Sequence, residues 1–132
     1  MLTKINRGVS GLRNRLAKEE GGFTLIELLV VLVIIGVLLA IAVPSYLGFK
    51  QRAEKRASDS NVRAAIPAME AFYSDNGTYS GATLAGLRAS YDAGLASIAI
   101  SGTSATAYTL ANTVGSCTAS VTGPGGTIAN SC

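Results

Sequence analysis

The feature that most constrains the fold is an almost purely apolar run from residue 23 to residue 43. As an α-helix, this run would extend about 31 Å, close to the ~30 Å thickness of the hydrocarbon core of a bilayer. The rest of the chain is more polar, so the run explains the high mean hydropathy of +0.38. We therefore predict that residues 23–43 form a helix that can cross a membrane or assemble with other copies of itself.

The net charge of +3 belongs entirely to the residues before this run. Residues 1–22 hold five basic and two acidic side chains, whereas the remainder holds six of each. Because basic flanks are retained in the cytoplasm, we expect residues 1–22 to lie inside the cell and everything after residue 43 to lie outside. The neutral outer part lacks the basic stripe of a nucleic-acid domain, so we expect no direct contact with nucleic acid.

A distinctive segment stands where the basic part meets the apolar run. Glu27 is the one charge in a stretch that is otherwise soluble in lipid, and such a carboxylate needs a partner, which indicates a functional role. The string GGFTLIELLVVLVIIG at residues 21–36 closely resembles the processing site of type IV prepilins, the precursors of bacterial pilus subunits and of pseudopilins. This resemblance is tight over residues 14–50 and extends to the rest only in layout.

The resemblance implies how the chain is processed and with what it assembles. A membrane-bound prepilin peptidase and N-methyltransferase would cut between Gly22 and Phe23 and methylate the new amine, which makes residues 1–22 a cleaved leader. Glu27 would pair with the Phe23 amine of a neighbouring copy, because opposite charges attract strongly where water does not screen them. Further implied partners are an inner-membrane assembly platform and a motor ATPase.

After the apolar run, residues 44–76 are predicted to form an amphipathic helix. Its apolar residues recur at spacings of three and four, at Val62, Ile66, Met69 and Tyr73. Gly36 and Pro44 should soften the helix, and we expect the stretch between them to lose regular hydrogen bonding inside a filament. Asn76-Gly77-Thr78 is a turn signal that should end the helix, and it also fits a glycosylation acceptor.

Residues 77–132 are predicted to form a globular head. After a connecting segment, four runs suit short strands, at residues 95–101, 107–111, 117–122 and 127–130. Packing the amphipathic helix on three or four antiparallel strands would bury both apolar faces, so the predicted fold is α+β and type IV pilin-like. Outside the cell, Cys117 and Cys132 are expected to close a disulfide loop, with two free buried thiols as the alternative.

The residue types exclude several kinds of chemistry. The chain has no histidine, which rules out a Ser-His-Asp triad, a Cys-His nucleophile and the usual mixed zinc sites. Asp75 and Asp92 are the one candidate carboxylate pair, but roles at a helix end or in a solvated loop explain them better. No acidic residues have calcium-loop spacing. We expect no enzyme, no metal and no cofactor.

The predicted function is a structural subunit of a type IV pilus. The precursor would sit in the cytoplasmic membrane with its head outside, and then polymerise as a homo-oligomer into an extracellular filament for adhesion, motility or DNA uptake. The main alternative is a pseudopilin of a type II secretion or competence system that acts as a short piston-like fibre. A plain membrane anchor gives no reason for Glu27, and a secretory signal would be cut after Ala40-Ile41-Ala42. Aromatic residues along the helix are expected to pack rather than to conduct electrons.

Overall fold

A computed structural model describes residues 22–132, so the predicted leader lies outside the described residues except for Gly22. Two helices precede four strands: α1 (Leu25–Asn76), α2 (Leu84–Ser90), β1 (Ala99–Ser101), β2 (Tyr108–Val114), β3 (Cys117–Gly123) and β4 (Ala129–Ser131). The strands form one antiparallel sheet in the order β1-β2-β3-β4. The predicted α+β, pilin-like class is confirmed.

The chain divides into two compact units, one that ends at Val43 and one that comprises Pro44–Cys132. In the first unit, every described residue is exposed. An 18-residue window of α1 has a mean hydropathy of 3.2 and is 0% buried, so by length and composition this helix could cross a membrane. Apolar surface of this extent is unfavourable in water, and it needs lipid or other protein as a neighbour.

The core of the second unit lies between α1 and one face of the sheet. Val62, Ala65 and Met69 of α1 are fully buried, and the alternate residues Leu110 of β2 and Ala119 of β3 face them. This period-two burial along β2 and β3 leaves the side chains of the other face half-buried or exposed. The amphipathic pattern of α1 therefore fixes which side of the helix the sheet covers.

β2 and β3 form a longer hairpin than the sequence predicted. β2 continues beyond residue 111 to Val114, which pairs with Cys117 across a two-residue turn. Gly115 opens this turn with φ +57°, a backbone conformation in which glycine is favoured because it has no Cβ. By contrast, the predicted strand at 95–101 is a strand only at Ala99–Ser101. Its earlier residues include Leu95 and Ile98, which are buried in the core as irregular backbone.

The structure contains the disulfide between Cys117 and Cys132 that the sequence predicted. β4 pairs with β3 so that Ser131 lies opposite Thr118, and the two cysteines occupy the next position along the same register. The disulfide thus fastens a three-residue edge strand, which has few ladder hydrogen bonds of its own, to the centre of the sheet.

α1 ends at Asn76, where the turn signal was identified, and the Gly77 N–H donates to the Tyr73 carbonyl over 2.7 Å. The helix includes Pro44 and Pro67 as well as Gly36. Loss of helical hydrogen bonds between Gly36 and Pro44 concerns the assembled state and stays a prediction.

Candidate functional site

A reciprocal pair of hydrogen bonds starts α1 at the predicted processing site. The Glu27 N–H donates to Thr24 Oγ1 over 3.3 Å, and the Thr24 N–H donates to Glu27 Oε2 over 3.2 Å. This is a capping box, in which a hydroxyl residue before the helix and an acid three positions later satisfy two backbone donors that the helix leaves free. The carboxylate also lies in the first turn, where the helix dipole favours negative charge.

The capping box corrects one inference from the sequence. Glu27 has a local structural reason to be present, so its occurrence alone does not argue against a plain membrane anchor. The sequence carried this signal, because Thr24-Leu25-Ile26-Glu27 fits the pattern of a hydroxyl residue followed three positions later by an acid, directly before an apolar run. One N–H bond still leaves a charged group in an apolar segment, where a cation would stabilise it further.

Gly22 and Phe23 lie directly before the capping box. Both are exposed and outside regular secondary structure, and the Phe23 side chain is 80% exposed. The peptide bond between them is therefore not engaged in the helical ladder. Phe23 is four residues before Glu27, so the two residues lie at the same end of α1.

In the second unit, Glu54 of α1 holds the turn between β2 and β3. Its Oε2 accepts hydrogen bonds from the Ser116 N–H at 3.0 Å and the Ser116 hydroxyl at 2.9 Å. Lys50 lies 3.7 Å from Oε1. The bonds from Ser116 lower the pKa of Glu54 below its ordinary value. A Cβ at Gly115 would overlap this carboxylate, so glycine is required there by the contact as well as by the turn.

Farther along α1, Glu70 accepts hydrogen bonds from two buried tyrosines. The Tyr79 hydroxyl lies 3.1 Å from Oε2 and the Tyr108 hydroxyl lies 3.2 Å from Oε1. Burial raises the pKa of both tyrosines, and the negative charge of Glu70 raises it further. The Tyr108 ring lies across Gly123, its register partner on β3, and any side chain at Gly123 would occupy the same space. These aromatic rings serve packing in the core.

Asp75 and Asp92, the carboxylate pair considered from the sequence, each have their own partner. Asp75 Oδ2 accepts a 2.7 Å hydrogen bond from the Tyr91 hydroxyl, and this bond raises the pKa of Tyr91. Asp92 Oδ1 accepts from the Gly94 N–H over 2.9 Å. Both acids therefore have local roles, at the end of α1 and in the loop after α2.

A capped, exposed apolar helix whose second half packs on a small antiparallel sheet defines the pilin-like class of fold. Residues 18–43 match the family described as the prokaryotic N-terminal methylation motif. This match covers Gly22, Phe23 and Glu27 together with the whole apolar run. This match and the relatives described next support a type IV prepilin-like protein.

Similar proteins include both pilus and secretion components. The chain is 39% identical over 67 residues to the type IV major pilin protein PilA of Myxococcus xanthus, a match covering 51% of this chain and 30% of that protein. It is 40% identical over 65 residues to the type II secretion system core protein G of Escherichia coli, covering 49% and 45%. The corresponding protein of Pectobacterium carotovorum is 38% identical over 72 residues, covering 54% and 42%. The chain thus matches less than half the length of each of these relatives.

Proposed function

We propose that this chain is a structural subunit of a type IV pilus, cut after Gly22, methylated on Phe23 and polymerised into an extracellular helical filament. The observation that carries the proposal is the methylation motif at residues 18–43 on a helix whose apolar surface is fully exposed. An exposed apolar helix of this length is stable only in lipid or against other helices. Bundling many copies removes that surface from water.

In this mechanism Glu27 changes partner during assembly. Before the cut, its carboxylate caps α1 through the Thr24 N–H. The cut creates a positive amine on Phe23, and in a filament the amine of one copy meets Glu27 of a neighbour. This charge pair gains strength from the apolar surroundings and sets the axial register of the copies.

The proposed role is structural rather than enzymatic, and each part of the chain has one task. Residues 1–22 are the cytoplasmic leader, residues 23–43 anchor the precursor and then form the filament core, residues 44–76 carry the head, and residues 77–132 form it. The peptidase and methyltransferase, the inner-membrane platform and the motor ATPase act on the precursor in the membrane. The head faces outward throughout.

The similarity to type II secretion core protein G favours a second candidate. In that case the same processed helix builds a short piston-like fibre. The two functions share the chemistry of assembly and differ in the fibre that results, so they are separated by whether long fibres appear on the cell surface.

Electron microscopy of the native host, with variants at Thr24 and Glu27, tests the proposal. Glu27→Gln removes the charge but keeps an acceptor that can complete the capping box, whereas Thr24→Ala weakens the cap and keeps the charge. We expect no fibres from Glu27→Gln and fibres from Thr24→Ala. Equal fibre formation by wild type and Glu27→Gln would contradict the charge-pair mechanism.

Mass spectrometry of the mature N-terminus provides the second test. The pilus proposal requires a chain that begins with N-methylated Phe23, and a Gly22 substitution that blocks the cut should leave the leader in place and abolish fibres. A mature chain that begins at residue 43 would contradict it. Correctly processed wild type without surface fibres would favour the piston.

A further inference from the structure

Two bulky aromatic side chains stand exposed where the second unit begins. Tyr46 is 65% exposed and Phe49 is 72% exposed, and their spacing of three puts them on one side of α1. We call this pair the aromatic knob. Arg52 and Arg56 follow within two turns, and both are exposed with no hydrogen bond or ion pair to any residue in 22–132. The knob therefore has apolar surface and positive charge side by side.

Farther along α1 toward its C-terminal end lies a concave surface, which we call the alanine groove. It is a cavity of about 290 Å³ lined by Ala64, Pro67, Ala68, Ala71, Tyr91 and Asp92. The residues of α1 that line the groove are three alanines and a proline, which leaves room for a bulky group. Asp92 also lines the groove, and the hydroxyl of Tyr91 donates a hydrogen bond to a second carboxylate, Asp75. The groove is therefore lined mainly by small apolar side chains of α1, with acidic groups at Asp92 and, through Tyr91, at Asp75.

In the second unit, basic side chains predominate near the knob and acidic side chains predominate near the groove. Residues 50–63 hold five basic and two acidic side chains, whereas residues 70–92 hold three acidic and one basic. Two copies that overlap head to tail would bring the basic part of one against the acidic part of the other. Such complementarity steers association and disfavours the reverse arrangement.

We propose that the aromatic knob of one copy occupies the alanine groove of a second copy, with Arg52 or Arg56 directed at Asp92. The inference rests on the proposed function and adds to it a specific contact between the second units of two copies. Knob and groove lie on different parts of the molecule, so the contact is heterologous and continues into a fibre when its rotation does not close. Phe49 and Pro67 are 18 residues apart on one helix, so parallel copies in contact are offset by about 27 Å.

Photo-crosslinking in intact fibres tests the contact. The chain is produced in its native host with p-benzoylphenylalanine at position 49, which retains an aromatic side chain, and in a parallel strain at position 46. Irradiation should give a ladder of covalent oligomers, with the linked peptide from residues 64–92. Fibres whose crosslinks map elsewhere would overturn this inference and leave the proposed function intact. Absence of fibres from wild type would instead contradict the proposed function.

Matched substitutions give a second readout. Ala64→Trp fills the groove, whereas Ser60→Trp adds the same side chain one turn earlier, at an exposed position outside the groove. We expect Ala64→Trp alone to abolish surface fibres at an unchanged cellular level of the chain. Asp92→Arg should also reduce fibres, and adding Arg56→Asp or Arg52→Asp should restore them. Equal effects of the two tryptophans, or no rescue by either reversal, would overturn the proposal.

Discussion

Replacing Tyr108 by phenylalanine should have opposite effects at neutral and at high pH. The Tyr108 ring is 1% exposed, so the variant keeps the packing and loses only the hydroxyl, which donates to Glu70 over 3.2 Å. A hydrogen bond to a charged group contributes about 1.5–3 kcal/mol. Because Glu70 is exposed to solvent and keeps its bonds from Tyr79, we expect a loss smaller than this range, about 1 kcal/mol at pH 7.

At high pH the sign reverses. Burial and the charge of Glu70 raise the pKa of Tyr108 in the folded state above its ordinary value of 10.0. A raised folded pKa means that the stabilisation is fully present below the unfolded pKa and is lost as pH rises beyond it. Each pH unit above about 10 then lowers the free energy of unfolding of the wild type by about 1.4 kcal/mol. The Tyr108→Phe variant has no hydroxyl at this position and does not show this loss. The two stability curves should cross near pH 11.

The assay is urea unfolding of the full chain in non-ionic detergent, followed by circular dichroism from about pH 7 to about pH 11.5. Tyr46→Phe is the matched control, since Tyr46 is 65% exposed and its curve should follow the wild type throughout. The basic side chains are common to all three chains, so their effect cancels in the comparison. Curves for Tyr108→Phe and wild type that stay parallel over this range would refute the reasoning.

Three further outcomes are expected in the second unit. Replacing Cys117 and Cys132 by serine together should lower the free energy of unfolding by about 3 kcal/mol, measured against the oxidised wild type, and an unchanged urea midpoint would contradict it. Gly115→Ala should lower the free energy of unfolding by more than about 1 kcal/mol, because the turn needs a positive φ and the new methyl group would overlap the Glu54 carboxylate. A more stable variant would contradict this and show that the turn relaxes freely. The lowered pKa of Glu54 implies a stabilisation that is present above about pH 4.5 and is lost as pH falls through the lowered value. Glu54→Gln should therefore make the free energy of unfolding fall less steeply at acid pH. An equally steep fall in the variant would exclude this contribution of Glu54.

The start and end of α1 can both be predicted from a few neighbouring residues. The Thr24-Leu25-Ile26-Glu27 pattern contains its own cap, and Asn76-Gly77-Thr78 coincides with the end of the helix. Both signals act over four residues or fewer, so they can be recognised without knowing the fold. The prediction for Glu27 nevertheless lacks the cap, because a carboxylate in an apolar run indicates a charge partner, whereas only its spacing from Thr24 indicates a cap.

The strands show where local reasoning fails. The extension of β2 to Val114 depends on the two-residue turn at Gly115, which pairs it with β3 over its full length. The apolar residues Leu95 and Ile98 predict a strand in the segment before β1. In the structure these residues fill the core without pairing, since burial needs apolar side chains but not a ladder.

By itself the sequence determined the properties that arise from neighbouring residues: an apolar run long enough for a bilayer, a charge excess confined to one side of it, a methylation motif, and an amphipathic period that requires a covering sheet. Only the tertiary structure decided which distant groups meet, such as Glu54 with Ser116, 62 positions away, and Glu70 with Tyr108, 38 positions away. The physical reason is that hydrophobic patterning is read along the chain. A hydrogen bond between distant side chains depends instead on strand register and loop closure, which are fixed only when the whole core packs.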